Sequence, residues 1–397
     1  MAKADRDKIK QILERNVVEV IEKNDLENLL NSGKKLRIKL GIDPTGPRLH
    51  LGRAISLRKL RNFQEAGHKI VLIIGDFTAL VGDASDKQSA RSQLTKEQIK
   101  RNMKDYKKQI GKILDIKKTE FHYNSKWLAK LKFEDVLRIA SLFTVHQLID
   151  RRNFKERFEA GKIIGFQEFM YPLMQGYDSV AIKADVEIGG TDQLFNLMAG
   201  RKLQEFYGQK PQNIMTLEML DGLDGQKMST SQGNVINITD TPDDMFGKIM
   251  SMRDEMIMGY FKTTTDISDE RLGSIKAGLD SGSLNPLEAK KDLAFEIVRM
   301  YHDSAKAERA KEKFESVFQK KELSADSFDE IKVQQGEELS DISVKRGLVA
   351  SLSSFRRLIK SGSIDFEGEA IKDVHFRIKK SGVVRIGKKI FVKLIVG

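Results

Sequence analysis

Two short runs govern the first half of the chain. LRIKLGI (36–42) and KIVLIIGD (69–76) are almost continuously apolar, long enough for a buried strand and too short for a buried helix. Between them, AISLRKLRNFQEAGH repeats its apolar residues at helical spacing. TEFHYN (119–124), DVEIGG (185–190) and IMTLEML (214–220) carry the strand signal again. Strands separated by helices predict an α/β fold, a parallel sheet covered on both faces. Such a sheet receives its ligand at the carboxyl ends of its strands. The opening segment, MAKADRDKIKQILERNVVEVIEKNDLENLL, is predicted as one charged amphipathic helix.

The pattern changes near residue 234. From there to about 320 it is nearly all helical. Asn285-Pro286-Leu287-Glu288 has the composition of a helix start, with a capping Asn and a Pro in the first turn. Leu293, Ile297 and Tyr301 follow at helical spacing, and Thr241-Pro242-Asp243 opens another helix in the same way. Residues 321–336 are polar and poor in aromatics, which predicts a linker. Residues 337–397 predict two short helices, the second from Ser351, and then short strands with Gly turns. The expected organisation is therefore 1–233, 234–320, a linker at 321–336, and 337–397.

Composition narrows the chemistry. Hydrophobic residues make up 40% of the 397, enough for a sizeable core. The chain has no cysteine, which excludes disulfides, thiolate zinc sites and a cysteine nucleophile, and fits a reducing compartment. The acidic residues of the first segment argue against a signal or transit peptide. No run approaches the ~20 apolar residues of a membrane span, so the expectation is a cytoplasmic protein without membrane contact. The net charge is +12. From Ile331 to the end there are fourteen Lys or Arg and seven Asp or Glu, a surplus of seven positive charges that points to nucleic acid.

Three polar stretches carry candidate chemistry. GIDPTGPRLHLGR (41–53) follows the first strand and enters a helix, so His50 and Gly52 fall where unpaired N–H groups and the helix dipole favour phosphate. Taken alone, this reads equally as a capped loop with a surface histidine. GQKMSTSQGN (225–234) is too polar for a core strand and too rich in Gly and Ser for a helix. It reads as a mobile loop bearing one fixed cation, Lys227. In the third stretch, Tyr171, Gln175 and Asp178 share one helix face at i, i+4 and i+7.

The strand–HxGx–helix unit followed by Lys227-Met228-Ser229-Thr230-Ser231 resembles the paired HIGH and KMSKS signatures of class I aminoacyl-tRNA synthetases. EFMYPLMQGYDSVAIKADVEIGGTDQLFN (168–196), GDFTALVGD (75–83) and KLGIDPT resemble the bacterial tyrosyl-tRNA synthetases, in the branch that has lysine before the LGxDPT turn. The resemblance runs from Leu36 to Ser231 and more diffusely to the terminus. It implies a Rossmann-like catalytic domain over 1–233, an anticodon-arm-binding helical domain over 234–320 and a small α+β RNA-binding domain over 337–397. It also implies a homodimer, with tRNA(Tyr), L-tyrosine and ATP as partners. Mg²⁺ would be carried by ATP, with no protein metal cage.

The same resemblance assigns roles. His50, Arg53, Lys227 and Thr230 occupy the catalytic signature positions. Asp43, Thr45, His50, Gly52, Gly190, Asp192, Lys227, Met228, Ser229 and Ser231 would bind ATP. Lys39, Asp83, Tyr171, Gln175, Asp178 and Gln193 would surround tyrosine, with Asp178 accepting the phenolic hydroxyl. Thr78 is a further pocket candidate, and Met219-Leu220 would flank the adenine. The chain departs from the pattern at Arg53 and Thr230, which replace a histidine and a lysine, and at Lys39, where many relatives have tyrosine. Arg53 or Lys87 would compensate for the missing lysine.

LVASLSSFRRLIKSGSIDFEGEAI (348–371) resembles an RNA-binding module shared with a ribosomal small-subunit protein. There Arg356, Arg357 and Lys360 crowd the exposed side of a helix while Leu358 and Ile359 face inward. FTVHQLIDRRNFKERFEAGKIIGF (143–166) lies where relatives form the dimer contact, and Arg151, Arg152 and Lys155 would meet tRNA or serve as surface charge. A tryptophan-specific relative is the nearest alternative. The other is a synthetase-like RNA-binding protein with little catalysis, favoured only by Arg53 and Thr230.

Overall fold

The computed structural model describes residues 3–83, 94–226, 228, 233–323, 329–387 and 390–397. The chain divides into two compact units, Met1–Lys311 and Glu312–Gly397. The first is built on six strands: β1 Val17–Ile21, β2 Arg37–Ile42, β3 Lys69–Ile74, β4 Thr119–Tyr123, β5 Val186–Gly190 and β6 Asn213–Leu217. Their spatial order is β1-β6-β5-β2-β3-β4. Every neighbouring pair is parallel except β1 with β6. Strands β2 to β6 match the five strand signals of the sequence.

The order explains where a ligand must go. The chain builds outward from β2 to β3 and β4, then returns to β2's other side with β5 and β6. The direction reverses between β2 and β5, so a crevice opens beyond their carboxyl ends. The segment after β2 is Asp43-Pro44-Thr45, and the segment after β5 is Thr191-Asp192-Gln193. Strand β3 is buried on both faces from Ile70 to Ile74. The helix Tyr171–Ile182 covers one face, with Ile182 packed on Val71 and Ile73. The helix Leu51–Glu65 also packs on β2 and β3.

The amino-terminal expectation needs correcting. The predicted single helix is two helices, Lys3–Glu14 and Lys23–Asn31, separated by β1. Asn16 and Glu22 take left-handed backbone angles, φ 59° and 63°, and so end one helix and delay the next. The valines between them suit a strand that pairs antiparallel with β6, Val20 opposite Met215.

Five helices follow the sheet: Pro242–Met250, Ile257–Thr264, Asp269–Ser281, Pro286–Tyr301 and Ser304–Leu323. Asn285 caps its helix by accepting from the Leu287 N–H at 2.9 Å, and Thr241 caps its own by accepting from Asp244. Leu293, Ile297 and Tyr301 are buried, as their spacing predicts.

In the second unit, β7 Asp329–Val333, β8 Ile364–Phe366, β9 Glu369–Ala370, β10 Gly382–Ile386 and β11 Ile390–Val396 form a sheet in the order β7-β11-β10-β8-β9. Strand β7 falls inside the expected linker. It pairs parallel with β11 because its alternate residues Ile331 and Val333 reach the small core, while Asp329, Glu330 and Lys332 give the stretch its polar texture. Residues 321–323 are likewise helical rather than linker. The helix Leu352–Lys360 begins at Ser351, which accepts from the Ser354 N–H, and buries Phe355 and Ile359. Arg356, Arg357 and Lys360 are exposed.

Candidate active site

The loop after β2 turns sharply into the helix Leu51–Glu65, and three contacts fix the turn. The Arg53 guanidinium donates to the Asp43 carbonyl at 2.8 Å and to Thr45 Oγ1 at 2.7 Å. Tyr106 Oη donates to the Gly46 carbonyl at 2.7 Å. Leu51 N–H donates to Ile236 O and Ile238 N–H to Leu49 O, which ties this loop to the chain beyond the Lys227 loop. His50 is the N-cap residue and is buried. Arg53 therefore folds back to brace the turn in which Asp43 and Thr45 sit.

The two signature stretches meet at one contact. Met228 is buried, and its sulfur lies 3.3 Å from the Gly52 N–H across 176 residues of sequence. A Cβ on Gly52 would lie 3.1 Å from His50 Nδ1 and 3.5 Å from that sulfur, so glycine leaves the space the loop uses. The flanks of the loop are anchored: Leu223 N–H donates to Asn234 O, Asn234 Nδ2 to Asp224 Oδ1, and Met228 N–H to Leu220 O. Gly225 and Gly233 both have positive φ, 77° and 73°, which a side chain would strain. Lys227, Ser229, Thr230 and Ser231 lie outside the described residues, as does Lys87. Met219 is exposed and Leu220 buried.

From the turn, a chain of hydrogen bonds runs inward. Asp43 Oδ2 accepts from Tyr171 Oη at 2.9 Å, and Asp43 Oδ1 accepts from Thr78 Oγ1 at 2.7 Å. Asn124 Nδ2 donates to Thr78 Oγ1 at 3.1 Å and to Asp178 Oδ2 at 3.2 Å. Trp127 Nε1 donates to Asp178 Oδ1 at 2.7 Å. One polar path thus links the β2 turn to Asp178. Gly75 makes it possible, since a Cβ there would sit 2.0 Å from Asp43 Oδ1.

Burial governs the charge of both acids. It pushes Asp43 up to about 6 against the opposing pull of the Thr78 and Tyr171 hydroxyls. It pushes Asp178 up to about 7, although Lys39 and the Trp127 and Asn124 donors all favour the carboxylate. Burial also raises Tyr171 well above its ordinary value, so it remains a donor. Across the crevice, Gln193 Nε2 donates to Asp83 Oδ2 at 2.6 Å and Asn196 Nδ2 to Gln193 Oε1 at 3.0 Å. Gly190 precedes Asp192 at the end of β5, where a Cβ would lie 2.6 Å from Asp192 Oδ1.

The expected Lys39 contact with tyrosine is redirected. The Lys39 ammonium is fully buried and meets Glu187 Oε1 at 2.8 Å, Ser179 Oγ at 2.7 Å and the Gln175 carbonyl at 2.9 Å. Its three protons thus have protein acceptors, and none remains for a phenol. The Gln175 amide reaches Glu187 Oε1 at 3.2 Å. Arg151 turns inward from where a tRNA contact was expected, its guanidinium 4.8 Å from the Phe195 ring centroid and 5.2 Å from that of Phe154. Arg152 and Lys155 are exposed.

Asn124, Trp127, Ser179, Glu187 and Gln212 were missed by sequence reasoning. Glu187 and Lys39 did leave a trace, each being a charged residue flanked on both sides by apolar residues in a strand, where an unpaired charge is not tolerated.

Comparison with known proteins identifies the family. Residues 31–319 match the family model for class I tRNA synthetases (W and Y). A tyrosine–tRNA ligase of Thermotoga maritima is 46% identical over 387 residues, covering 97% of this chain and 96% of the relative. One from Carboxydothermus hydrogenoformans is 45% identical over 401 residues, covering 97% of each. A crystal structure of tyrosyl-tRNA synthetase complexed with L-tyrosine from Archaeoglobus fulgidus superposes with a TM-score of 0.63 at 26% identity, over 76% of this chain and 99% of that one. With a buried acid at one end of its crevice and the Gly52–Met228 contact at the other, the chain belongs to the class I tRNA synthetases, and within them to the tyrosine–tRNA ligases.

Proposed function

We propose that the crevice between Asp178 and Gly52 is the site where this chain activates tyrosine. The reaction is ATP-dependent attachment of L-tyrosine to tRNA(Tyr) through a tyrosyl-adenylate. The observation that supports the assignment of residues is the Met228–Gly52 contact, because it brings Met228, next in sequence to Lys227, to the helix start at which phosphates are favoured.

Asp178 accepts a hydrogen bond from the phenolic hydroxyl, and its two oxygens keep their aim through Trp127 and Asn124. Asp83, Tyr171, Gln175 and Gln193 surround the amino and carboxyl groups of tyrosine, and Asp192 holds the ATP ribose. The tyrosine carboxylate, ionised at neutral pH, attacks the α-phosphate, so this step needs placement and charge stabilisation more than a general base. Lys227 meets the pyrophosphate as it leaves. His50 and the Gly52 N–H lie on the phosphate side, and Ser229 and Ser231 add neutral donors. Arg53 acts by holding the turn of Asp43 and Thr45. Thr230 offers a hydroxyl where many relatives supply a second cation. Mg²⁺ enters as part of the ATP substrate.

Further assignments rest on surface chemistry. Exposed Phe133, Leu137, Val145, Phe158, Ile163 and Phe166 support an apolar contact with a second copy of the chain. Arg356, Arg357 and Lys360 form a phosphate-binding face for tRNA, with residues 234–320 facing the anticodon arm and Arg152 and Lys155 near the acceptor end. No described helix is long and apolar enough to cross a membrane.

Amino-acid-dependent exchange of pyrophosphate into ATP, run with tyrosine, tryptophan and phenylalanine, tests the assignment of the site. Wild type is expected to respond to tyrosine, and Asp178→Asn to lose that preference. An unchanged preference in the variant overturns the role of Asp178. For the second unit, removal of 329–397 is expected to weaken tRNA binding and flatten its salt dependence. Unchanged affinity and slope would refute that part.

A further inference from the structure

Lys39 and Glu187 are direct cross-strand neighbours on β2 and β5, at the place where the sheet order reverses. Both side chains are essentially inaccessible, at 0% and 1% exposure, and they form an ion pair at 2.8 Å. Each also reaches the helix that carries Asp178. Lys39 holds the Gln175 carbonyl and Ser179 Oγ, which bracket Asp178 on that helix. Glu187 accepts from Ser179 Oγ at 2.9 Å, from the Gln175 amide and from Gln212 Nε2. The neighbouring helix Leu194–Phe206 leaves room with Gly200, where a Cβ would lie 2.5 Å from Gln212 Nε2 and 2.9 Å from Ser179 Oγ. A buried ion pair is costly to keep dry and is weak evidence for stability as such. Its placement, spanning two strands and bracketing one acid, suits another task.

We propose that Lys39 and Glu187 form a positioning pair for substrate selection, anchoring the Asp178 helix to the sheet and setting the charge that Asp178 offers to the phenolic hydroxyl. The inference rests on the reading of Asp178 as the phenol acceptor. The groups facing Asp178 are Lys39 from β2, Glu187 from β5, Asn124 and Trp127 beyond β4, and Tyr171 on its own helix. Lys39 favours the carboxylate and Glu187 opposes it, Lys39 more strongly. The two halves of the pair therefore act on Asp178 with opposite sign.

That opposition gives the test. Trp127, the chain's single tryptophan, donates to Asp178, so its fluorescence reports the ionisation of that acid without turnover. The experiment follows Trp127 fluorescence and the tyrosine KM against pH in the full-length protein. Lys39→Met is expected to move the Asp178 transition to higher pH by about one to three units, and Glu187→Gln to move it lower. The double variant Lys39→Met/Glu187→Gln avoids a lone buried charge and is expected to retain a smaller upward shift. Asp178→Asn identifies the transition by abolishing it, which separates it from that of Asp43. If Asp178→Asn abolishes the transition but the pair variants leave it in place, or all shift it in one direction, the positioning role is overturned. If Asp178→Asn leaves both the transition and the tyrosine KM unchanged, the phenol-acceptor reading itself fails.

Discussion

The two ends of the crevice are built differently. At the Asp178 end Asp178, Asn124, Ser179, Lys39 and Glu187 are buried and Trp127 and Gln175 half-buried, and Asp178 accepts from Trp127 and Asn124 while Lys39 pairs with Glu187. At the Gly52 end the described groups sit on a turn and beside a segment whose flanks are pinned by backbone hydrogen bonds and whose bordering glycines take positive φ. An acid that must distinguish one hydroxyl benefits from a rigid, low-dielectric setting, where an unpaired partner is costly. A cation that meets charge only as pyrophosphate departs needs a segment that can move and does not need deep burial. On the proposed assignment, selection belongs to the buried end and rate to the Lys227 segment.

The largest effect should come from the buried end. Sites built to bond a substrate hydroxyl reject the analogue lacking it by about 10⁴–10⁵, an effect for which this enzyme family is itself the standard illustration. Asp178→Asn should remove most of that preference of tyrosine over phenylalanine, measured as a ratio of kcat/KM. At the loop end, Lys227→Ala should slow adenylate formation by about 10²–10³, the scale of losing one preorganised charge-stabilising donor. Tyrosine affinity should change little, as single-turnover kinetics would reveal.

A smaller and more particular effect concerns pH. Asp178 titrates near 7 and Asp43 near 6, both above the 3.8 of an ordinary aspartate. Folded pKa values raised in this way make a stabilising contribution that is complete below the unfolded value and is lost as pH rises through about 6 to 7. With Asp178 as the proposed phenol acceptor, tyrosine recognition needs its carboxylate and so follows the opposite course. Between pH 8 and 5 the tyrosine KM should rise, about tenfold per unit below 7, while these acids raise the melting temperature. Asp178→Asn should weaken both trends. The smallest effect belongs outside either end. Asn285→Ala removes a helix cap and should cost about 1 kcal/mol of stability in denaturant unfolding, with kinetics unchanged.

Much of the frame was legible because burial leaves an apolar run. Strands β2, β3, β5 and β6 announced themselves in this way, while the half-buried β4 and the helices at Thr241 and Asn285 were read from local composition and capping residues. Strand β1 was hidden because an edge strand flanked by charged helices keeps a helix-like mixture, and the decisive left-handed turns at Asn16 and Glu22 use residues other than glycine. Strand β7 was hidden because only Ile331 and Val333 of its five residues face a core. At the site, motifs brought the turn and loop together on paper, yet Asn124 and Trp127 belong to no motif and reach Asp178 only through tertiary packing. Lys39 shows the opposite case. Its position drew attention, but the choice between a ligand contact and a buried pair depended on the cross-strand register with Glu187.

The most direct measurement of the division of labour is single-turnover tyrosyl-adenylate formation across a range of tyrosine concentrations in Asp178→Asn and Lys227→Ala. Asp178→Asn should raise the concentration giving half the maximal rate and leave the plateau largely in place. Lys227→Ala should lower the plateau and leave that concentration in place. If both variants moved the same parameter, the two ends would share one task, contradicting the account.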